Sequence, residues 1–221
     1  MNLFYSAVIK ECSDKMSGYF TLLHYRYTNL CVKSEPASLI PVTISFLGEE
    51  KNIEDVAQVG QPDDFHLAVV PDSRNMIDLI AQAIFMAHPE FKITRKTVGS
   101  GDGETEYLEY EMPEVDKERR DFLNEAVKSL HDEAMARIDA VHAKQKAELA
   151  EYVKEPSSDL YEANSELDRV HDEYVNKVHD LRNVKHQEIE EGYQRYLAAH
   201  ADENGEEANQ GYDVTKSMIM Q

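Results

Sequence analysis

Three stretches of this chain repeat apolar residues at alternating spacings of three and four, and that rhythm limits the folds open to it. In Leu3 to Leu30 the stripe is Ile9, Cys12, Met16, Tyr19, Leu23 and Leu30, with Tyr27 rotating in where Arg26 would fall. In Lys117 to about Lys154 it is Leu123, Val127, Leu130, Ala134, Ile138 and Val141. In Asp159 to about His200 it is Leu160, Ala163, Leu167, Val170, Tyr174, Val178 and Leu181, then Ile189 and Tyr196. A helix of about 40 residues is roughly 60 Å long and cannot bury such a stripe by itself. The simplest burial is a long antiparallel three-helix bundle. Asp116 and the Pro156-Ser157-Ser158 break supply the starts of the second and third helices.

Between the first and second helices the grammar changes. Val42, Ile44 and Phe46 alternate with Thr43 and Ser45, which predicts a half-buried strand, and Gly48-Glu49-Glu50 turns the chain. Val56 to Val59, Phe65 to Val70, Phe91 to Val98 and Tyr107 to Met112 predict further strands. Met76 to His88 predicts a helix whose inner face carries Ile77, Ile80, Ala81, Ile84 and Phe85. The fold class is therefore α+β, with a small β/α/β domain inserted after the first helix. The expected division is residues 1–31 plus 114–200 for the bundle and 37–111 for the insert. Residues 201–221, with Gly205, Gly211 and five acidic side chains, are expected to be a disordered acidic tail.

Composition narrows the function. Forty-three acidic residues face 23 basic ones, a formal net charge of −20. That surface repels phosphate over a Debye length of about 8 Å, which excludes broad DNA binding and disfavours an anionic membrane. The longest apolar run, Leu39 to Leu47, is too short to span a bilayer. Met1 to Ile9 lacks the charged flank of a secretory signal. Two cysteines, Cys12 and Cys31, stand too far apart on one helix to bridge, and two lone thiols suit a reducing cytoplasm.

No motif points to catalysis. Cys-x-x-Cys, His-Glu-x-x-His and Gly-x-Ser-x-Gly are all absent. The Gly99-Ser100-Gly101-Asp102-Gly103 cluster lacks a P-loop ending and is followed by Glu104, Glu106 and Glu109, so it reads as a hairpin tip. His171, His179 and His186 are each about two turns apart, too far to share one ion, and read as polar residues on a solvated face. Adjacent carboxylates such as Asp132-Glu133 and Glu190-Glu191 diverge by about 100° on a helix and read as solvated charge. Leu130-His131-Asp132-Glu133 recurs as Val170-His171-Asp172-Glu173, but the match stops there and marks no tandem repeat. No cofactor or metal is implied, and the chain is expected not to be an enzyme.

Five pieces of wording, in order, resemble ribosome recycling factor. They are Lys10 to Met16, Pro36 to Ile40, Asp72-Ser73 with Ala81 to Met86, Met112 to Arg120, and Ser165 to Ile189. The third piece resembles the family's Glu-Lys-Ala-Ile-Met helix, and the fourth its Leu-Pro-Pro-Leu-Thr-Glu-Glu-Arg-Arg return into the bundle. The resemblance implies a translation factor that works with elongation factor G to split the post-termination ribosome. It implies a bundle lying on large-subunit RNA and an insert that swings on two linkers. Those linkers would be Val32, Lys33, Ser34, Glu35 and Pro36 on one side and Met112, Pro113 and Glu114 on the other, running on to Asp116.

The departures from the family pattern are specific. Its second helix carries Arg-Asn-Ile-Arg-Arg-Asp; the arginine positions here hold Asp139, His142 and Ala143. Its first helix ends in Arg-Thr-Gly-Arg; the arginine positions here hold Cys31 and Ser34. From Glu114 to His200 there are 13 basic and 21 acidic residues. Arg137, Lys144 and Lys146 remain as RNA-binding candidates in a shifted, weaker patch. Two functions follow from this: a divergent recycling factor, or a paralogue that keeps the fold as a non-enzymatic interaction module with little RNA affinity.

Overall fold

The computed structural model describes residues 3–99, 104–152 and 156–201. Ser100 to Gly103 of the glycine cluster and the tail from Asp202 onward lie outside the described residues. The chain divides into two compact units. One holds the residues up to Leu30 together with Asp121–Glu188; the other holds Cys31–Arg120 together with the residues from Ile189 on.

The first unit is built from α1 (Leu3–Thr28), most of α3 (Lys117–Tyr152) and most of α4 (Ser158–Ala199). α3 runs antiparallel to both α1 and α4. Tyr27 donates its hydroxyl to the Val127 carbonyl, Arg26 meets Glu133, and Phe4 stacks on Tyr152, so α3 descends as α1 rises. His186 meets Asn124, His179 meets His131, and Asp168 meets Lys146, which sets α4 against α3 in the same sense. Asp116 caps α3 by accepting the Arg119 amide at 2.7 Å, and the Ser157 hydroxyl accepts the Leu160 amide at the start of α4.

Most of the expected stripes are buried, with local corrections. On α1 Tyr5, Val8, Cys12, Met16, Leu23 and Tyr27 are buried; Val8 takes the place expected for Ile9, and Tyr19 is half-buried. On α3 Leu130 is half-buried and His131 is buried instead, while the stripe continues past Val141 through Gln145 to Leu149. On α4 Leu181 is half-buried and the stripe passes through Lys185 to Ile189 and Gly192. An ideal helix drifts by about 20° per heptad against a strict seven-residue repeat, so a long stripe steps sideways by a residue. Among the described residues the amide atoms of Gln145 meet no hydrogen-bond partner.

The second unit contains the insert. β1 (Thr43–Phe46) and β2 (Glu49–Asn52) form an antiparallel hairpin, with Leu47 at φ 54° and Gly48 at φ 84° in its turn. Two successive positive φ values are what a tight primed hairpin turn requires, and Gly48 meets that without strain. β3 (Ala57–Asp63), β4 (His66–Pro71), β5 (Lys92–Val98) and β6 (Thr105–Glu111) make a four-stranded antiparallel sheet in the order β3-β4-β6-β5. α2 (Ile77–Ala87) buries Ile77, Ile80 and Ile84 in a core shared with Leu39, Ile44, Ile53, Leu67, Val69, Leu108 and Tyr110. Phe85, expected on that inner face, is 52% exposed, because it falls about 100° past Ile84 around the helix. β2 was not legible in the sequence: Glu-Glu-Lys-Asn has no apolar alternation, and its pairing with β1 alone makes it a strand. Among the described residues no helix is long and apolar enough to cross a membrane.

Candidate functional site

Arg137, Lys144 and Lys146 do not form one patch. Seven residues bring a helix almost back to the same face, so Arg137 and Lys144 lie in line. Nine residues leave it about half a turn away, so Lys146 points to the opposite side. Arg137 donates twice to Glu133, at 2.8 and 3.0 Å, and its guanidinium sits 5.4 Å from the centre of the Tyr19 ring. Glu133 also receives Arg26 at 2.6 Å, and the two arginines hold its carboxyl below the usual range. Lys146 donates to Asp168 at 2.7 Å, which lowers the Asp168 carboxyl in the same way. Lys144 is exposed on α3.

The histidines of the bundle are not a solvated row. They face one another across α3 and α4. His131 and His179 approach to 3.1 Å through Nε2 and Nδ1. His142 and His171 stack with centroids 4.4 Å apart, and each reaches a carboxylate on the opposite helix, Asp168 and Asp139 respectively, at 2.8 Å. His186 lies between Asn124, 2.7 Å from its Nδ1, and Arg182, whose Nε donates to its Nε2. Burial, the Arg182 charge and His131 push His186 below its ordinary value. The chain thus places Asp139 and His142 on the α3/α4 groove.

Both expected linkers run to one turn of the sheet. Ser34, almost fully buried, donates its amide to the Asp64 carbonyl at 2.7 Å and its hydroxyl to the Asp63 carbonyl at 2.9 Å. Met112 donates its amide to the Phe65 carbonyl at 2.8 Å. The β3–β4 turn therefore holds Ser34 of one linker and Met112 of the other, and Val32 to Pro36 and Met112 to Glu114 all lie in the second unit. Val32 and Met112 are buried, whereas Lys33 is exposed. The end of α4 completes the arrangement. Arg195 pairs with Asp64 at 3.1 Å, and Gly192 lies so close to Val32 and Val115 that an added Cβ would come within 2.9 and 3.0 Å of their methyl groups. Gly192 was not singled out in the sequence, since a lone glycine near a helix end carries no signal without knowing what it faces.

Among the described residues, one set of side chains converges closely enough to share an ion: Cys31, His88 and Glu90, whose ligand atoms all lie within 4.8 Å of one another. Burial works against charge on His88, but hydrogen bonds to Cys31 and Glu90 push it up to about 10.

A sequence model of the family described as ribosome recycling factor matches residues 27–189. The chain is 26% identical over 162 residues to the chloroplastic ribosome-recycling factor of Oryza sativa subsp. indica, a match taking in 71% of this chain and 57% of that protein. It thus spans little more than half the length of the rice relative. It is 24% identical over 185 residues to the ribosome-recycling factor of Flavobacterium psychrophilum, covering 82% of this chain and 95% of that one. Among solved structures, the solution structure of a ribosome recycling factor superposes with a TM-score of 0.71 at 17% identity, over 86% of this chain and 100% of that one.

Proposed function

This chain belongs to the ribosome recycling factor family, and from that premise we propose that it binds the ribosome after termination and assists subunit splitting with elongation factor G. It acts by binding and leverage rather than by catalysis, in the compartment where its ribosomes work, taken here as the cytoplasm. A similar fold, at 23% identity and a TM-score of 0.55, is that of the T. thermophilus ribosome recycling factor bound with E. coli elongation factor G to the E. coli post-termination complex, and it supports this choice of partners. The reading rests chiefly on a family match that takes in α3 and most of α4.

In this reading the bundle meets large-subunit RNA through the α3 face that carries Arg137 and Lys144. Lys146 is drawn off to Asp168, and Arg137 must share itself with Glu133. The insert flexes at Val32, Lys33, Ser34, Glu35 and Pro36 and at Met112, Pro113 and Glu114. Each neutralised phosphate releases about one counterion, so a face with exposed Lys144 and an Arg137 shared with Glu133 binds more weakly than one with an arginine cluster. Co-sedimentation with large ribosomal subunits over a salt series tests this. Binding is expected at low salt and lost as salt rises, and Lys144→Ala is expected to weaken it and reduce the log–log salt slope by about 1. Firm binding at high salt would refute the weakened interface. No binding at low salt would refute the ribosomal role and leave the interaction-module reading.

A further inference from the structure

Cys31, His88 and Glu90 come from two places in the second unit. Cys31 follows the end of α1 and immediately precedes the first expected linker. His88 caps the C-terminus of α2, and Glu90 follows it across Pro89. We propose that these three side chains form a binding site for a borderline-soft divalent cation of the zinc type, with thiolate, imidazole and carboxylate as ligands.

The imidazole is already set up as a ligand. Its Nε2 lies 3.0 Å from the Ser38 carbonyl, which only an N–H on that nitrogen satisfies. Such a hydrogen bond fixes Nε2 as a protonated nitrogen and turns Nδ1 toward Cys31 and Glu90, where an ion would displace the proton that Nδ1 shares with them. The Ser38 carbonyl belongs to a short 3-10 helix, and Phe91 stacks on the ring at 4.7 Å and 7°, so the ring cannot turn away. From Nδ1 to the Glu90 carboxylate is 3.3 Å. That is long for an ion-paired hydrogen bond, which is usually about 2.7 to 2.9 Å. It equals the roughly 3.3 Å separating two ligands that each sit about 2.0 Å from a tetrahedral zinc ion. A zinc-bound thiolate and imidazole stand roughly 3.6 Å apart, so closing ligand atoms that lie within 4.8 Å of one another onto one ion takes shifts of at most about 1.2 Å.

Burial and charge are consistent with this. Cys31 and His88 are buried, whereas Glu90 reaches the surface, giving the ion a way in and a position for water. The Arg119 guanidinium is the other charged group here: it donates to the Cys31 carbonyl at 2.9 Å and feels both Cys31 and Glu90. It offsets part of the negative charge that the two anionic ligands would carry around the ion. A thiolate–imidazole pair selects zinc or cobalt over magnesium or calcium. Bound metal would fasten Cys31 to the end of α2.

Titration of the reduced full chain with cobalt(II) reads the site through thiolate-to-cobalt charge transfer. The band is expected in the parent, displaced by zinc, unchanged in Cys12→Ser and absent in Cys31→Ser. Glu90→Gln, at an exposed position that leaves the core intact, is expected to weaken cobalt binding at least about tenfold. Absence of the band in the parent, its survival in Cys31→Ser, or unchanged affinity in Glu90→Gln would each overturn the proposal.

Discussion

Leu130 and Leu167 occupy comparable positions in their heptads, yet only Leu167 is fully buried. The difference lies in what each helix meets: at Leu130 the stripe has stepped to His131, which reaches across to His179. Leu167→Ala is expected to cost about 2 to 5 kcal/mol in chemical unfolding, and Leu130→Ala distinctly less. Equal losses would mean that the stripe does not step. His186 gives a second residue-scale test. Its Nε2 accepts from Arg182 and its Nδ1 faces Asn124, so the fold holds it neutral. Above its ordinary value of 6.5 folded and unfolded chains both carry a neutral ring. As pH falls through 6.5 the unfolded chain takes up a proton that the folded one resists, and stability is lost until the lower folded value is passed. The melting temperature is expected to fall between pH 7 and 5, and less steeply in His186→Asn; identical pH profiles would remove His186 as the cause. At this scale the sequence identified which residue types line the stripes. It did not pair the histidines, because each pair joins residues tens of positions apart.

At the scale of elements, the long helices were legible because their period is sustained over many turns, and their caps at Asp116 and Ser157 behave as their side chains predict. β2 was not, since a polar strand shows itself only through its partner. The linkers were legible as breaks in pattern, but their attachment to the β3–β4 turn was not. That attachment depends mostly on backbone groups, which every sequence carries alike, with one serine hydroxyl added. Gly192 tests it. Its place on α4 leaves room for the Val32 and Val115 methyl groups and for nothing larger. Gly192→Ala gains helix propensity but forces those methyls aside, and the expected net is a loss of about 1 to 3 kcal/mol in thermal or urea unfolding. A stabilised Gly192→Ala would mean that Val32 and Val115 move freely.

For the whole molecule, the fold is that of its family, and the charge is strongly negative. A net charge of −20, with Asp139 and His142 in the α3/α4 groove, leaves few cations to grip phosphate in the proposed role. The fold class could be reached from periodicity and the family from ordered short motifs. The strength of the interface could not, because it depends on which cations are already paired: Arg137 with Glu133, and Lys146 with Asp168. Subunit splitting tests the whole most directly. Post-termination ribosomes mixed at low salt with this chain, elongation factor G and GTP should lose light scattering as subunits separate, and should not do so if either protein is left out. Unchanged scattering with all components present, under conditions where a family member with the full arginine motif splits the same ribosomes, would contradict the recycling role.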